Sequence, residues 1–302
     1  GEALAWFDGE RAGLVGAVSW AREGRYAATV VRLALRLGVY LDWRRYFDDW
    51  ITVAGVAREA AHRVGDSRGE AAAWSNLGLA LEQVGRVGEA VEAHTRARDL
   101  CQATGDRHGE AVAWNNLGSA LREASRVEEA VEAHTRARDL YQVTWDRQRE
   151  AGAWGNLGIA LRAMGRVVEA IEALIRARDL LQAVGDRQGE GMAWGNLGLA
   201  LREASRVEEA IEAYCKGLEI CREFENWYRA GQTLENLARA HEAARRPADA
   251  RAAWLQATDS YTQADATKEA AAALANANAN ANATDTAPPP GRVYTSPRPP
   301  DA

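Results

Sequence analysis

GDSRGEAAAWSNLGLALEQVGRVGEAVEAHTRARDLCQAT (residues 65–104) is followed at once by GDRHGEAVAWNNLGSALREASRVEEAVEAHTRARDLYQVT (residues 105–144), and the two agree at 28 of 40 positions. The spacing continues outward: Trp74, Trp114, Trp154 and Trp194 stand 40 apart, with Leu234 in the next slot. Leu77, Leu117, Leu157, Leu197 and Leu237 follow three residues after each, then Gly78, Gly118, Gly158, Gly198 and Ala238. A second lattice runs through Ala90, Ala130, Ala170, Ala210 and Ala250. A period of this size is the signature of stacked supersecondary units.

Each unit reads as a helical hairpin. Trp74, Leu77, Gly78 and Leu81 fall at i, i+3, i+4 and i+7, one face of a helix. Val87, Ala90, Val91, His94, Ala97 and Cys101 mark the face of a second helix. Gly78 and Ala90 lack bulk, so the paired helices can approach closely. Gly85 and Gly165 suit a left-handed helix stop, which Ser125 and Ser205 replace. Gly65-Asp66, Gly105-Asp106 and Gly185-Asp186 read as a helix stop followed by an N-cap.

The expected fold is all-α, a right-handed α-solenoid of antiparallel helical hairpins. Residues 1–26 read as an N-terminal helix and linker to an absent upstream module, and 27–64 as a degenerate hairpin with Trp50 in a small-residue slot. Five units follow, at 65–104, 105–144, 145–184, 185–224 and 225–264. A short capping helix is expected over 265–275. The Ala-Asn alternation and the prolines of 276–302 predict a disordered tail.

The lattice resembles the tetratricopeptide repeat: Trp, two residues, Leu-Gly, two residues, a large residue, then Ala, a bulky residue and Ala. Residues 71–104 match the 34-residue form, and 105–110 extend it to 40, similar to kinesin light chains and the Leu-Gly-Asn family of polarity adaptors. Leu81, Leu121, Leu161 and Leu201 depart from the pattern's Tyr, and the closing Pro is missing. HEAT and armadillo arrays have similar periods but lack this lattice. Ala5-Trp6-Phe7-Asp8, Glu10-Arg11, Leu14-Val15 and Asp48-Asp49-Trp50 resemble the segment after the nucleotide-binding module of actinobacterial NB-ARC-type, or STAND, regulators. That resemblance implies a sensor or autoinhibitory tail. No GxxxxGK[ST] loop occurs in the chain itself.

Family geometry places repeat positions 2, 5, 6, 9 and 12, counting Trp as 4, on a concave groove. Position 6 is Asn76, Asn116, Asn156, Asn196 and Asn236, amides able to pair with an extended peptide backbone. The other reading of this ladder is a helix-to-helix hydrogen bond that fixes stacking. Position 12 includes Arg122, Arg162 and Arg202, able to clamp carboxylates or to sit on a solvated face. Leu79, Ile159, Leu199 and Met192 add apolar surface, while Gly155 and Gly195 leave room. The expected partner is a protein or peptide segment with acidic and aliphatic side chains, or an attached regulatory module.

Other classes are disfavoured. Net charge is −6 with two lysines, Lys216 and Lys268, which argues against direct nucleic-acid binding. No run of 18 apolar residues exists, so no membrane span is expected. Three cysteines without a CxxC pair point to a reducing, cytoplasmic setting. His94 and His134 share a slot with Leu174, Tyr214 and Trp254, a packing position. His241-Glu242 lacks the second His of a zinc-protease motif, since residue 245 is Arg. No catalytic residue, metal or cofactor is expected. The two functional expectations are a regulatory tail acting in cis and a free-standing adaptor recruiting a partner in trans.

Overall fold

The computed structural model describes residues 2–20 and 26–285, which form fourteen α-helices and no strand. They are α1 (Glu2–Trp20), α2 (Ala27–Trp43), α3 (Phe47–Arg63), α4 (Ser67–Gln83), α5 (Val87–Thr104), α6 (Arg107–Glu123), α7 (Val127–Thr144), α8 (Arg147–Ala163), α9 (Val167–Val184), α10 (Arg187–Glu203), α11 (Val207–Glu223), α12 (Trp227–Ala243), α13 (Pro247–Gln263) and α14 (Thr267–Asp285). The expected linker residues 21–25 and the expected tail from residue 286 lie outside the described residues.

One backbone device ends the helices. A residue in the left-handed region recurs every 20 positions from Arg45 to Asp265. Gly65, Gly85, Gly105, Gly165 and Gly185 occupy it without steric cost. Ser125 and Ser205 do so at φ 61° and 60°, and so do Arg45, Trp145, Glu225, Arg245 and Asp265, residue types that do not signal this conformation. At Gly85 the amide of Arg86 bonds the Leu81 carbonyl at 2.9 Å and that of Gly85 bonds Glu82 at 3.0 Å. This is the paired bonding of a Schellman cap. The first helix of each of the five repeat units starts on a side-chain cap, while the second helices start at an arginine without one. Asp66 and Asp106 each accept from the amide three residues on at 2.9 Å, Asp186 at 2.8 Å and Asp146 at 3.1 Å. Asn226 does the same at 3.2 Å.

The chain divides into two compact units, Gly1–Asn196 and Leu197–Ala302. In the first, α4 packs on α5, α6 on α7 and α8 on α9 as hairpins, and each hairpin packs on the next. The first helices of successive hairpins also touch: α2 meets α4, α4 meets α6 and α6 meets α8. At the N-terminal end, Asp8 of α1 accepts from the Tyr40 hydroxyl at 2.7 Å and pairs with the Arg44 guanidinium, which docks α1 on α2. In the second unit α11 packs on α12, α12 on α13 and α13 on α14. The sequence pattern ends the last helix near residue 275, but α14 continues to Asp285. Ala270, Ala273 and Ala277 are buried, and Asn280 Nδ2 donates to Glu242 Oε1 at 2.8 Å. The Ala-Asn alternation therefore hides an apolar face at helical spacing.

Inside each hairpin the crossing depends on a missing side chain. A Cβ on Gly78 would lie 2.4 Å from the His94 ring, and one on Gly118 2.6 Å from His134. At Gly158 it would meet Leu174 Cγ at 2.6 Å and the Ala170 carbonyl at 3.2 Å; at Gly198 it would meet Tyr214 at 2.5 Å. Bulk on the second helix fills the space that glycine leaves on the first. His94, His134, Leu174 and Tyr214 are accordingly fully buried. Trp50 in the degenerate hairpin uses the same device, because a Cβ on Gly38 would come within 2.7 Å of its indole nitrogen.

The four lattice tryptophans are half-buried, and each is roofed by an arginine from the preceding second helix. Arg58, Arg98, Arg138 and Arg178 place their guanidinium carbons 4.9, 4.6, 4.5 and 4.6 Å from the rings of Trp74, Trp114, Trp154 and Trp194. Such stacking adds about 0.5–1 kcal/mol at partly exposed sites. Where Trp gives way to Leu234, the arginine slot holds Leu218, and both leucines are buried.

Burial and the nearby Arg122 push the His134 pKa down to about 4. The neutral ring is the native form, so its contribution to stability is complete above the unfolded value near 6.5. It is lost as pH falls toward 4, because the unfolded chain binds the proton first. Between pH 7 and pH 5 this costs about 2 kcal/mol. His134→Leu, the residue used at 174, is expected to abolish that part of the pH slope in denaturant titrations; an identical slope in both proteins contradicts it. Gly158→Ala is expected to lower stability by about 1–3 kcal/mol through overpacking, although alanine favours helix. Gly152→Ala in the same helix, where a Cβ would meet nothing within 4 Å, is expected to raise it by about 0.5–1 kcal/mol. Denaturation midpoints moving in opposite directions support the crossing geometry, and parallel movement refutes it.

Candidate functional site

The residues singled out in the sequence lie on the first helices, four of them half-exposed amides. In the first unit Asn116, Asn156 and Asn196 are half-buried, as are Leu79, Ile159 and Arg162; Arg122 and Met192 are exposed. In the second unit Asn236, Leu199 and Arg202 are half-buried.

Asn76 differs from the rest of its ladder. It is 9% exposed, and its Oδ1 accepts from the Trp50 indole at 3.0 Å. The amide thus ties α4 to the bulky residue of the degenerate hairpin. Asn156 Nδ2 donates to Asn115 Oδ1 at 3.1 Å, joining α8 to α6. Two rungs therefore make the helix-to-helix bonds that were the other reading of the ladder. Asn156 keeps its carbonyl oxygen for another donor.

Position 12 is matched to the core residue twelve places later. Glu82 lies 3.4 Å from the His94 ring, and Glu242 accepts from the Trp254 indole at 2.9 Å. Arg122, Arg162 and Arg202 stand instead beside His134, Leu174 and Tyr214 in the lattice. The buried neighbour alone does not set the sign of the charge here, since Glu82 and Arg122 stand beside the histidines His94 and His134.

Between α6 and α8 lies a cleft of about 450 Å³. Val112, Asn115 and Asn116 form one wall, Gln148, Arg149 and Gly152 the other, and Tyr141 the end. These are positions 2, 5 and 6 of α6 facing the start of α8, so the cleft is on the face expected from the lattice. Sequence reasoning passed over Tyr141, Gln148 and Arg149. Their signal was departure from the repeat, since Arg149 stands where Gly69, Gly109 and Gly189 do, and Tyr141 where Cys101 and Leu181 do.

The opposite side has clefts of its own. One of about 710 Å³ lies over Trp114, Leu117 and Leu121 between α5 and α7. Its equivalent one repeat on, over Trp154, measures about 260 Å³. Their walls mix both charges, and Arg126 and Arg166 are already paired with Glu129 and Glu169.

Among the described residues no group of three or more His, Cys, Asp or Glu is placed to hold a metal ion. Cys101 and Cys221 are buried and Cys215 exposed, all as free thiols. Burial, with the carboxylates of Asp106 and Glu110, pushes the Cys101 thiol up to about 11, which makes it a packing residue. No described helix is long and apolar enough to cross a membrane.

The comparisons with known proteins agree with this geometry. A tetratricopeptide repeat model matches residues 69–142, 149–223 and 191–263, and a second one matches 115–180. No curated protein matches the chain. The fold is similar to that of a Signal Transduction ATPase with Numerous Domains (STAND) protein with a tetratricopeptide repeat sensor from Pyrococcus horikoshii. Identity is 13% and the TM-score 0.65, over 84% of this chain and 42% of that one. It is also similar to a Rap protein complexed with Competence and Sporulation Factor, at 15% identity and TM-score 0.60 over 85% and 76% of the two chains. A putative kinesin light chain from Podospora anserina aligns at 20% identity and TM-score 0.56, over 67% and 96%. At these identities the likeness is one of fold. With the repeat model spanning well over half of its residues, this chain belongs to the tetratricopeptide repeat family.

Proposed function

We propose that the chain is a protein-interaction scaffold whose first-helix face holds an extended peptide segment. The observation that carries this is the cleft between α6 and α8, where Asn115 and Asn116 offer amides beside Val112 and the bare backbone of Gly152. An amide that gives and takes one hydrogen bond can follow a peptide backbone whatever its side chains. Exposed Arg122 adds a positive charge on the same helix, suited to acidic residues. Family membership and the fold likeness to a Rap protein complexed with a factor support the reading.

Likeness to a STAND protein with a repeat sensor favours a sensor or autoinhibitory tail of a larger signalling ATPase or transcriptional regulator. On this reading it acts in the cytoplasm, where three unpaired thiols remain reduced. The reading frame upstream of Gly1 checks the tail assignment: a phosphate-binding loop supports it, and a start codon directly before Gly1 contradicts it.

Arg122→Glu tests the binding face. Glu82 shows that this position accepts glutamate beside a buried histidine, so the fold is expected to persist. Affinity for peptides selected on the wild-type chain is expected to fall at least about tenfold, near 1.4 kcal/mol. Melting should move little, since exposed substitutions cost under about 0.5 kcal/mol. Unchanged affinity, or collapse of the melting temperature, defeats the assignment of Arg122 to the binding face.

A further inference from the structure

The junction of the second and third repeat units breaks the lattice in a concerted way. Gly69, Gly109 and Gly189 all lack a side chain where Arg149 carries one. The lattice has a packing reason for glycine here. A Cβ on Gly109 would lie 2.8 Å from both Cys101 Sγ and the Asp106 carboxylate, and one on Gly189 2.7 Å from Leu181 and 2.8 Å from Asp186. The chain accommodates Arg149 all the same. Its amide donates to the capping Asp146 carboxylate at 3.1 Å, against 2.9 Å and 2.8 Å for the amides of Gly109 and Gly189. Arg229 and Glu269 show that the slot can carry a side chain, so what sets Arg149 apart is the group it faces.

The residue eight places earlier changes with it. Cys101 and Leu181 are replaced by Tyr141, which is 97% buried because only 3% of its surface is exposed. Its ring packs edge-on against His108 at 6.3 Å, and the residue lines the end of the α6/α8 cleft. Lining the cleft, its phenol can offer a hydroxyl to an acceptor from outside. The other junctions offer Cys101 with Gly109, Leu181 with Gly189, Cys221 with Arg229, and Tyr261 with Glu269. Only at 141 and 149 do a hydroxyl and a guanidinium meet.

The surrounding groups define what fits. Arg149 Nη1 pairs with Asp146 at 2.7 Å, which engages one of five N–H donors. His108, 3.9 Å from Asp146, stands behind that carboxylate. Gln148 reaches Asp186 at 3.4 Å and sets the rim. Asn115 and Asn116 line the cleft opposite. Gly152 leaves a strip of bare helix with open space above it. The donors in this set are an arginine, a tyrosine and side-chain amides. One arginine, part-neutralised by Asp146, suits a singly charged planar anion better than a dianion.

Resting on the peptide-binding reading above, the geometry points to this cleft as the specificity pocket of the face, taking the side-chain carboxylate of an Asp or Glu in an extended peptide. The carboxylate accepts from Arg149 and the Tyr141 hydroxyl, and the adjoining peptide group lies over Gly152 between the amides of Asn115 and Asn116. The other repeat junctions bind backbone without this demand.

The test is a display library of random twelve-residue peptides, panned on the intact chain. Selected peptides are expected to share an Asp or Glu at one position, and its replacement by Asn or Gln to weaken binding at least about tenfold. Arg149→Gly restores the lattice residue, and Tyr141→Phe keeps the buried ring. Each is expected to melt like the wild type and to bind the acidic peptide and its amide counterpart equally well. Peptides without a shared acid, or variants that keep the acid preference, overturn this pocket and leave the binding face standing. Recovery of no peptide at all overturns both.

Discussion

Four of the repeat hairpins depend on one constraint: their two helices cross so closely that a methyl group would collide, and only the last admits one, at Ala238. Gly78, Gly118, Gly158 and Gly198 meet that constraint from the first helix, and His94, His134, Leu174 and Tyr214 answer it from the second. Because the knob rests on bare backbone, its chemistry is free to vary while its volume is not. This explains how imidazole, aliphatic and phenol groups occupy one slot in successive repeats. It also accounts for the full burial of His94 and His134, which are sealed in the crossing. Close crossing then fixes the direction in which the first helix presents its remaining positions, and the candidate binding face follows from that.

A second regularity governs the joints. A left-handed residue every 20 positions ends a helix, and an acidic or amide cap opens the first helix of a unit. Glycine is the cheap solution, yet Trp145 adopts φ 57° while 75% exposed. A bulky residue in this region is strained, and it lies four residues before Arg149, in the repeat that also departs at the cleft. The strained turn and the extra guanidinium belong to the same stretch of chain. Arg147 stacks over the Trp145 ring at 5.4 Å, which holds the turn together without occupying the cleft.

Much of the fold was legible because its causes are local and repeated. Forty-residue spacing, small residues at the crossing and Gly-Asp at the joints each have a direct physical meaning in a helical hairpin. What escaped reading depended on contacts between units or on compensation. Arginine over tryptophan joins residues 16 apart across a joint, and neither is unusual alone. Trp50 in a small-residue slot looked like decay, but Gly38 makes room for it and Asn76 satisfies its indole. In α14 the alternation of Ala with Asn suggested low complexity, whereas alanines at helical spacing pack on α13 because their small size permits close approach. On the candidate face, the asparagine ladder was visible as a pattern. That Asn76 and Asn156 already have partners required coordinates, and so did the meeting of Tyr141 with Arg149 across a turn.

The claim beneath the functional account is that first helices, and not second helices, hold the partner. Both sides of the first unit offer clefts, and the larger one lies over Trp114 between α5 and α7. Amide hydrogen exchange of the chain, alone and saturated with a selected peptide, separates them directly. The account predicts slowed exchange in α6, the start of α8 and the last turn of α7 around Tyr141, with α5 and the rest of α7 unchanged. Protection confined to α5 and α7 would place the partner over the tryptophans and contradict it.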